Sequence, residues 1–121
     1  GDNQTGQLGY GDRTLRLAPD ANAIDLGAGR TAKMIAADSN QSQTCAILDD
    51  NSLKCWKSTT PQTVDVGAGR SAKEIRLGTG AICAILDDGT LKCWGNNSFG
   101  QLGYDDQVPR TLPDLYPVRY R

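Results

Sequence analysis

Two copies of one hairpin constrain this chain more than any other feature. Cys83–Trp94 reads CAILDDGTLKCW and Cys45–Trp56 reads CAILDDNSLKCW, a constant offset of 38 positions with only Asn51/Gly89 and Ser52/Thr90 differing. A segment that recurs intact performs one structural task twice. In each copy two β-prone runs flank Asp-Asp-Gly or Asp-Asp-Asn, which predicts a three-residue hairpin loop closed by a residue in the left-handed region. Gly89 takes that conformation freely and Asn51 is the next best residue there. The loop sets the register: Leu86 falls opposite Thr90, Ile85 opposite Leu91 and Cys83 opposite Cys93, and the same count sets Cys45 opposite Cys55.

Opposed β-carbons lie about 4.5–5.5 Å apart, so a small local adjustment allows a disulfide. The four cysteines have three connectivities, and this register favours Cys45–Cys55 with Cys83–Cys93. The competing reading is a set of buried free thiols in a reducing compartment, where Cys behaves as a small hydrophobe. The C-x9-C spacing and the absence of His argue against a zinc site.

Other pieces repeat as well. Gly1–Tyr10 (GDNQTGQLGY) matches Gly95–Tyr104 (GNNSFGQLGY) at an offset of 94, and Gly27–Lys33 (GAGRTAK) matches Gly67–Lys73 (GAGRSAK) at an offset of 40. In the Gly-rich pair Leu8 and Leu102 are the expected inward anchors. GAGRTAK lacks the residue order of a phosphate-binding loop, and Arg30 and Arg70 are expected to pair with loop acids or carbonyls of a neighbouring unit. Met34–Ala37 and Glu74–Leu77 follow as short strands, with Ile35 and Ile75 equivalent and both pointing inward. Arg13–Pro19, with Leu15 and Leu17, reads as an edge strand or a covering loop. After Trp56 the chain is abbreviated: Lys57–Pro61 stands where Trp94 is followed by a full Gly-rich segment. The units therefore run 1–56, 57–94 and 95–121, the last beginning a further unit with a basic, adhesive tail containing Tyr116 and Tyr120.

Fourteen Gly and five Pro between short β-prone runs argue against a helical architecture and for an all-β fold of short strands joined by turns. A net charge of −1 supplies no field for nucleic acid or an anionic membrane. The apolar runs are too short to cross a bilayer or form a signal-peptide core, and a start at Gly1 reads as a mature or excised segment. Asn3, Asn40 and Asn96 each open an N-glycosylation sequon in a polar stretch. With the hairpin disulfides they predict an oxidising, extracellular or cell-surface location.

No catalytic constellation is present. Without His a general base would have to be a carboxylate or Lys. Asp49-Asp50 and Asp87-Asp88 read as turn acids, with calcium ligation and a catalytic dyad as competing readings. Trp56 and Trp94 read as core or inter-unit packing, a carbohydrate platform being the alternative. No cofactor is expected.

The string CAILDDGTLKCWGNNSFGQLGY, preceded by VDVGAGRSAKEI, resembles the regulator of chromosome condensation repeat family, nearest to its Cys-rich, alpha-tubulin suppressor-like repeats. The resemblance covers nearly the whole chain except the last dozen residues, and Trp94–Gly103 carries its most specific part. It implies a β-propeller of four-stranded blades built from short antiparallel strands, here about two blades of an incomplete ring. Three departures stand out: Trp56-Lys57 replaces Trp-Gly, the usual Gly-Gly-His before the hairpin becomes Asp38–Gln43 or Gly78–Gly80, and the central Gly-rich segment is missing. Two blades leave open sheet edges and an uncovered face. A fragment of a longer propeller, a ring closed by several copies and a head-to-tail filament each satisfy them.

The family's best-known member is a guanine-nucleotide exchange factor that binds chromatin, a role that fold alone does not transfer. The expected function is a non-catalytic extracellular repeat glycoprotein that self-assembles into a fibre, appendage or surface layer, its partner being itself. The alternatives are a secreted module binding a protein or glycan, and a fragment of a complete exchange-factor-type propeller.

Overall fold

The structure, a computed structural model, describes residues 1–38, 43–58, 60–78, 80–113 and 118. Asn40, Tyr116 and Tyr120 lie outside the described residues. Among the described residues seven strands form: β1 (Ala32–Ala37), β2 (Thr44–Leu48), β3 (Leu53–Trp56), β4 (Gln62–Val64), β5 (Ala72–Gly78), β6 (Ala81–Leu86) and β7 (Leu91–Gly95). They make two antiparallel sheets, β1-β2-β3-β4 and β5-β6-β7.

The counted register holds in both hairpins. Cys45 pairs with Cys55 and Ile47 with Leu53, while Cys83 pairs with Cys93 and Ile85 with Leu91. The loops close as expected, with Asn51 at φ 67° and Gly89 at φ 83°. Leu48 and Leu86 donate their amides to the Ser52 and Thr90 carbonyls at 2.9 and 2.8 Å.

Because successive side chains alternate between faces and paired residues share one, each sheet has a disulfide face and a tryptophan face. In the first blade Cys45, Ile47, Leu53 and Cys55 lie on one face and Ala46, Leu48 and Trp56 on the other. In the second blade the tryptophan face holds Ile75, Ile82, Ala84, Leu86 and Trp94. It packs on the disulfide face of the first blade to make the main core. Asp38 ties the blades together, its Oδ2 accepting the Gly80 N–H at 2.9 Å.

Ile35 corrects the expectation that it and Ile75 both point inward. The two are equivalent, pairing with Ala46 and Ala84, yet Ile75 is 1% exposed and Ile35 is 64% exposed. Both project from a tryptophan face, and only the second blade has a sheet stacked over it. On the first blade that face is covered by Ile24 and Leu26, which pack with Ala46, Leu48 and Trp56 and stop short of Ile35.

One boundary differs, and of the two readings of Arg13–Pro19 the loop is the one that forms. β4 pairs with β3 through Val64–Leu53 and Gln62–Cys55, so the first sheet continues past Trp56 into the stretch assigned to the second unit. Arg13–Pro19 is a loop, with Leu15 and Leu17 exposed. At the outer edge of β7, Val118 donates its amide to the Leu91 carbonyl at 2.7 Å, taking the place that Val64 takes opposite Leu53.

Candidate assembly interface

The two Gly-rich segments form twin loops at opposite ends of the blade pair. In the first, the Arg16 amide donates to the Gly1 carbonyl at 3.2 Å and the Gly1 amino group bonds the Arg16 carbonyl. In the second, Gly95 and Arg110 exchange the same pair at 2.6 and 3.1 Å. Each guanidinium caps the ring of its own loop, Arg16 over Tyr10 at 4.1 Å and Arg110 over Tyr104 at 4.0 Å.

A fully buried asparagine holds each loop together. Asn97 Nδ2 donates to the carbonyls of Asp106 (3.1 Å) and Val108 (3.0 Å) and to Asp106 Oδ1 (2.8 Å), while its Oδ1 accepts the Leu102 amide at 3.0 Å. Asn3 does the same with Asp12, Thr14 and Leu8. Both side chains are 0% exposed. Asn3 is therefore corrected as a glycosylation position: its amide nitrogen is committed and sealed from solvent. Asn96 remains half-exposed, its Oδ1 accepting from the Ser98 amide and hydroxyl at 3.0 and 2.7 Å. The signal that marks Asn3 and Asn97 as structural is their recurrence 94 positions apart within the Gly-rich motif, a pattern that sequon matching overlooks.

The first loop lies on the tryptophan face of the first blade. The Gln7 carbonyl accepts both the Trp56 indole N–H at 2.9 Å and the Thr44 hydroxyl at 3.0 Å. Gly9 is needed there because a Cβ would stand 2.7 Å from Trp56 Nε1. Leu8 is half-buried, whereas Leu102 is fully buried with Ala81 and Cys93 on the outer face of the second blade. That outer face carries Glu74 and Arg76, 3.6 Å apart, where the first blade has Met34 and Ala36 packed into the core.

The four cysteines form Cys45–Cys55 and Cys83–Cys93, with Cα atoms 4.1 Å apart in each pair. Such bonds persist in oxidising environments. The turn acids bind within their own blades. Arg30 meets Asp50 at 2.8 Å and Asp49 at 3.6 Å, and Arg70 meets Asp88 at 2.9 Å and Asp87 at 3.5 Å. Loop acids are thus the partners, as one of the two expectations had it, and they belong to the same blade because the GAGR turn abuts the hairpin loop of its own sheet. The Ser52 hydroxyl and amide, joined by Arg30, hold the Asp50 carboxyl down at about 2. Thr90 and Arg70 hold Asp88 at about 2 in the same way, as Arg16 and the Thr14 amide do for Asp12. Hydrogen bonds to the ionised form cause these shifts, and they engage the acids as turn residues.

Residues 73–101 match the profile of the Regulator of chromosome condensation (RCC1) repeat. No curated protein matches the chain in sequence. Among solved structures, human WBSCR16 is 16% identical, with a TM-score of 0.63 over 74% of this chain and 26% of that one. Yeast RCC1 (Prp20), solved with Kap60 bound, is 20% identical, with a TM-score of 0.61 over 77% of this chain and 24% of that one. Prp20p from Saccharomyces cerevisiae, in a study that also treats its binding to Gsp1p and histones, gives 20% and 0.56 over 70% and 25%. The chain thus spans about a quarter of the length of these proteins. Residues 73–101 thus match an RCC1 repeat, and the described strands fold as two antiparallel blades of the RCC1 propeller type.

Proposed function

We propose that this chain is a non-catalytic extracellular building block, whose two-blade unit associates with further copies of itself through its open ends. The observation that carries the reading is the unequal burial of Ile35 and Ile75 at one repeat position, 64% against 1% exposed. The tryptophan face is built to receive a stacked blade, and on the first blade it has none. The equivalent side chain of the second blade, Ile75, is buried in the core between the stacked sheets, which supports reading the bare Ile35 as a contact point. The two disulfides and the half-exposed sequon at Asn96 support an extracellular glycoprotein.

Sedimentation across a concentration series tests it. The wild-type chain is expected to associate reversibly, and Ile35→Glu to shift the midpoint to higher concentration without moving the thermal unfolding midpoint. A chain that stays monomeric throughout, or an Ile35→Glu variant that associates as the wild type does, would count against the reading. A second reading is favoured by the chain's length, about a quarter of the solved propellers: the covering blade would then belong to the same polypeptide. In that case a polypeptide extended by further blades buries Ile35 and is monomeric.

A further inference from the structure

The abbreviated link after Trp56 leaves an unfilled place in the fold. In the first blade, Trp56 and Thr44 both donate to the Gln7 carbonyl of a Gly-rich loop. Trp94 and Ile82 occupy the same two positions in the second blade, 38 residues on. The segment that would cover them is the one replaced by Lys57–Pro61. In its place is an open cleft of about 320 Å³, lined by Gln43, Lys57, Ile82, Trp94, Pro109 and Arg110 among others. Trp94 is 3% exposed, and its indole N–H has no acceptor among the described residues. No sealed side-chain nitrogen or oxygen among the described residues lacks a partner, so this N–H opens to solvent at the cleft.

We propose that the Trp94 cleft binds the Gly100-Gln101-Leu102-Gly103 turn of a second copy, with the Gln101 carbonyl accepting the Trp94 indole N–H. This names the partner and one contact of the assembly proposed above, and so rests on that reading. The ligand chemistry is taken from the molecule itself. Gly100–Gly103 is the twin of the turn that fills the corresponding place on Trp56. Both turns are closed by a glycine amide donating to a glycine carbonyl at 3.1 Å, Gly9 to Gly6 and Gly103 to Gly100. Each is anchored by its own copy of the buried asparagine, Asn3 and Asn97. The Gln7 carbonyl has its two donors, whereas the Gln101 carbonyl has none among the described residues. Every copy thus presents one open donor and one open acceptor of a pair that it already makes elsewhere. Two copies that exchange these turns close on each other as an isologous dimer. Gly103 now has Val118 on the side where Gly9 has Trp56, a Cβ there standing 3.1 Å from Val118 Cγ1, so the incoming indole displaces that valine.

The test follows the two indole N–H signals of the unmodified, oxidised chain by NMR while a synthetic peptide of residues 95–104 is added. The Trp94 signal, assigned with a Trp94→Phe variant, is expected to shift and to exchange more slowly with water, while the Trp56 signal stays in place. The same peptide carrying Gly103→Val should have neither effect, because a Cβ at that position meets the indole. In parallel, sedimentation should show Trp94→Phe weakening self-association about tenfold, the loss of one hydrogen bond, and Val118→Ala tightening it. A Trp94 signal blind to the peptide, or a valine peptide that binds as well, overturns the cleft while a self-associating chain keeps the assembly reading. If the peptide binds but the chain stays monomeric at every concentration, a second copy is excluded as occupant and the assembly reading falls with it.

Discussion

Asn3 and Asn97 each satisfy four backbone or side-chain partners from one buried amide, and so hold loops that have no strand pairing of their own beyond a single bridge. Removing such a group strands several partners, each costing about 1–3 kcal/mol where it stays buried. Asn97→Ala is therefore expected to lower the unfolding free energy by about 2 kcal/mol, read from the denaturant midpoint at unchanged slope. Glycan mapping of the chain expressed through a secretory pathway should find Asn96 occupied and Asn3 bare. A sequon match reports three residue types in a row and nothing of burial, which is why Asn3 and Asn96 look alike in sequence. The turn acids give a pH prediction of definite sign. Asp50 and Asp88 ionise more readily when folded, at about 2 against an ordinary 3.8. Their contribution is present above the ordinary value and is lost as pH falls through the folded one. Thermal midpoints should decline as pH is lowered from about 4 to about 2, and Asp50→Asn with Asp88→Asn should flatten that decline.

At the scale of the element, the hairpins were legible because loop chemistry and a two-residue period determine pairing by counting. Cys45–Cys55 and Cys83–Cys93 follow from the loop residues alone. β4 was not legible: Gln62–Val64 is three residues long, follows Pro61 and lacks alternation. Its strand character comes from the β3 edge beside it, which no local pattern reveals. Each disulfide closes a short loop, a sequence separation of 10, for which chain entropy predicts about 2–3 kcal/mol of stabilisation. Replacing Cys45 and Cys55 together by Ala should lower stability by that amount. The loss should be similar for Cys83 with Cys93, measured in separate denaturant titrations.

For the whole molecule, the repeat period gave two blades and their shared core, but it could not say which copy of a repeated residue is covered. Ile35 and Ile75 sit in the same motif, and only the stacking order separates them. Ile75→Ala should cost about 2–5 kcal/mol as a large-to-small core change. Ile35→Ala should alter monomer stability by less than about 0.5 kcal/mol. Equal losses at the two positions would mean that Ile35 is covered after all. The outer face of the second blade differs again, with Glu74 and Arg76 where the first blade has Met34 and Ala36. The near-identity of the two hairpins has a last consequence, for folding kinetics. β1 meets in β6 almost the same partner as in β2, and β5 meets in β2 almost the same partner as in β6. Both disulfides form within local hairpins, so oxidation does not discriminate between these exchanges. Refolding must correct them by dissociation, and a chain of this kind is expected to show a slow, concentration-independent phase from mispaired strands, which breaking the identity between β2 and β6 should remove.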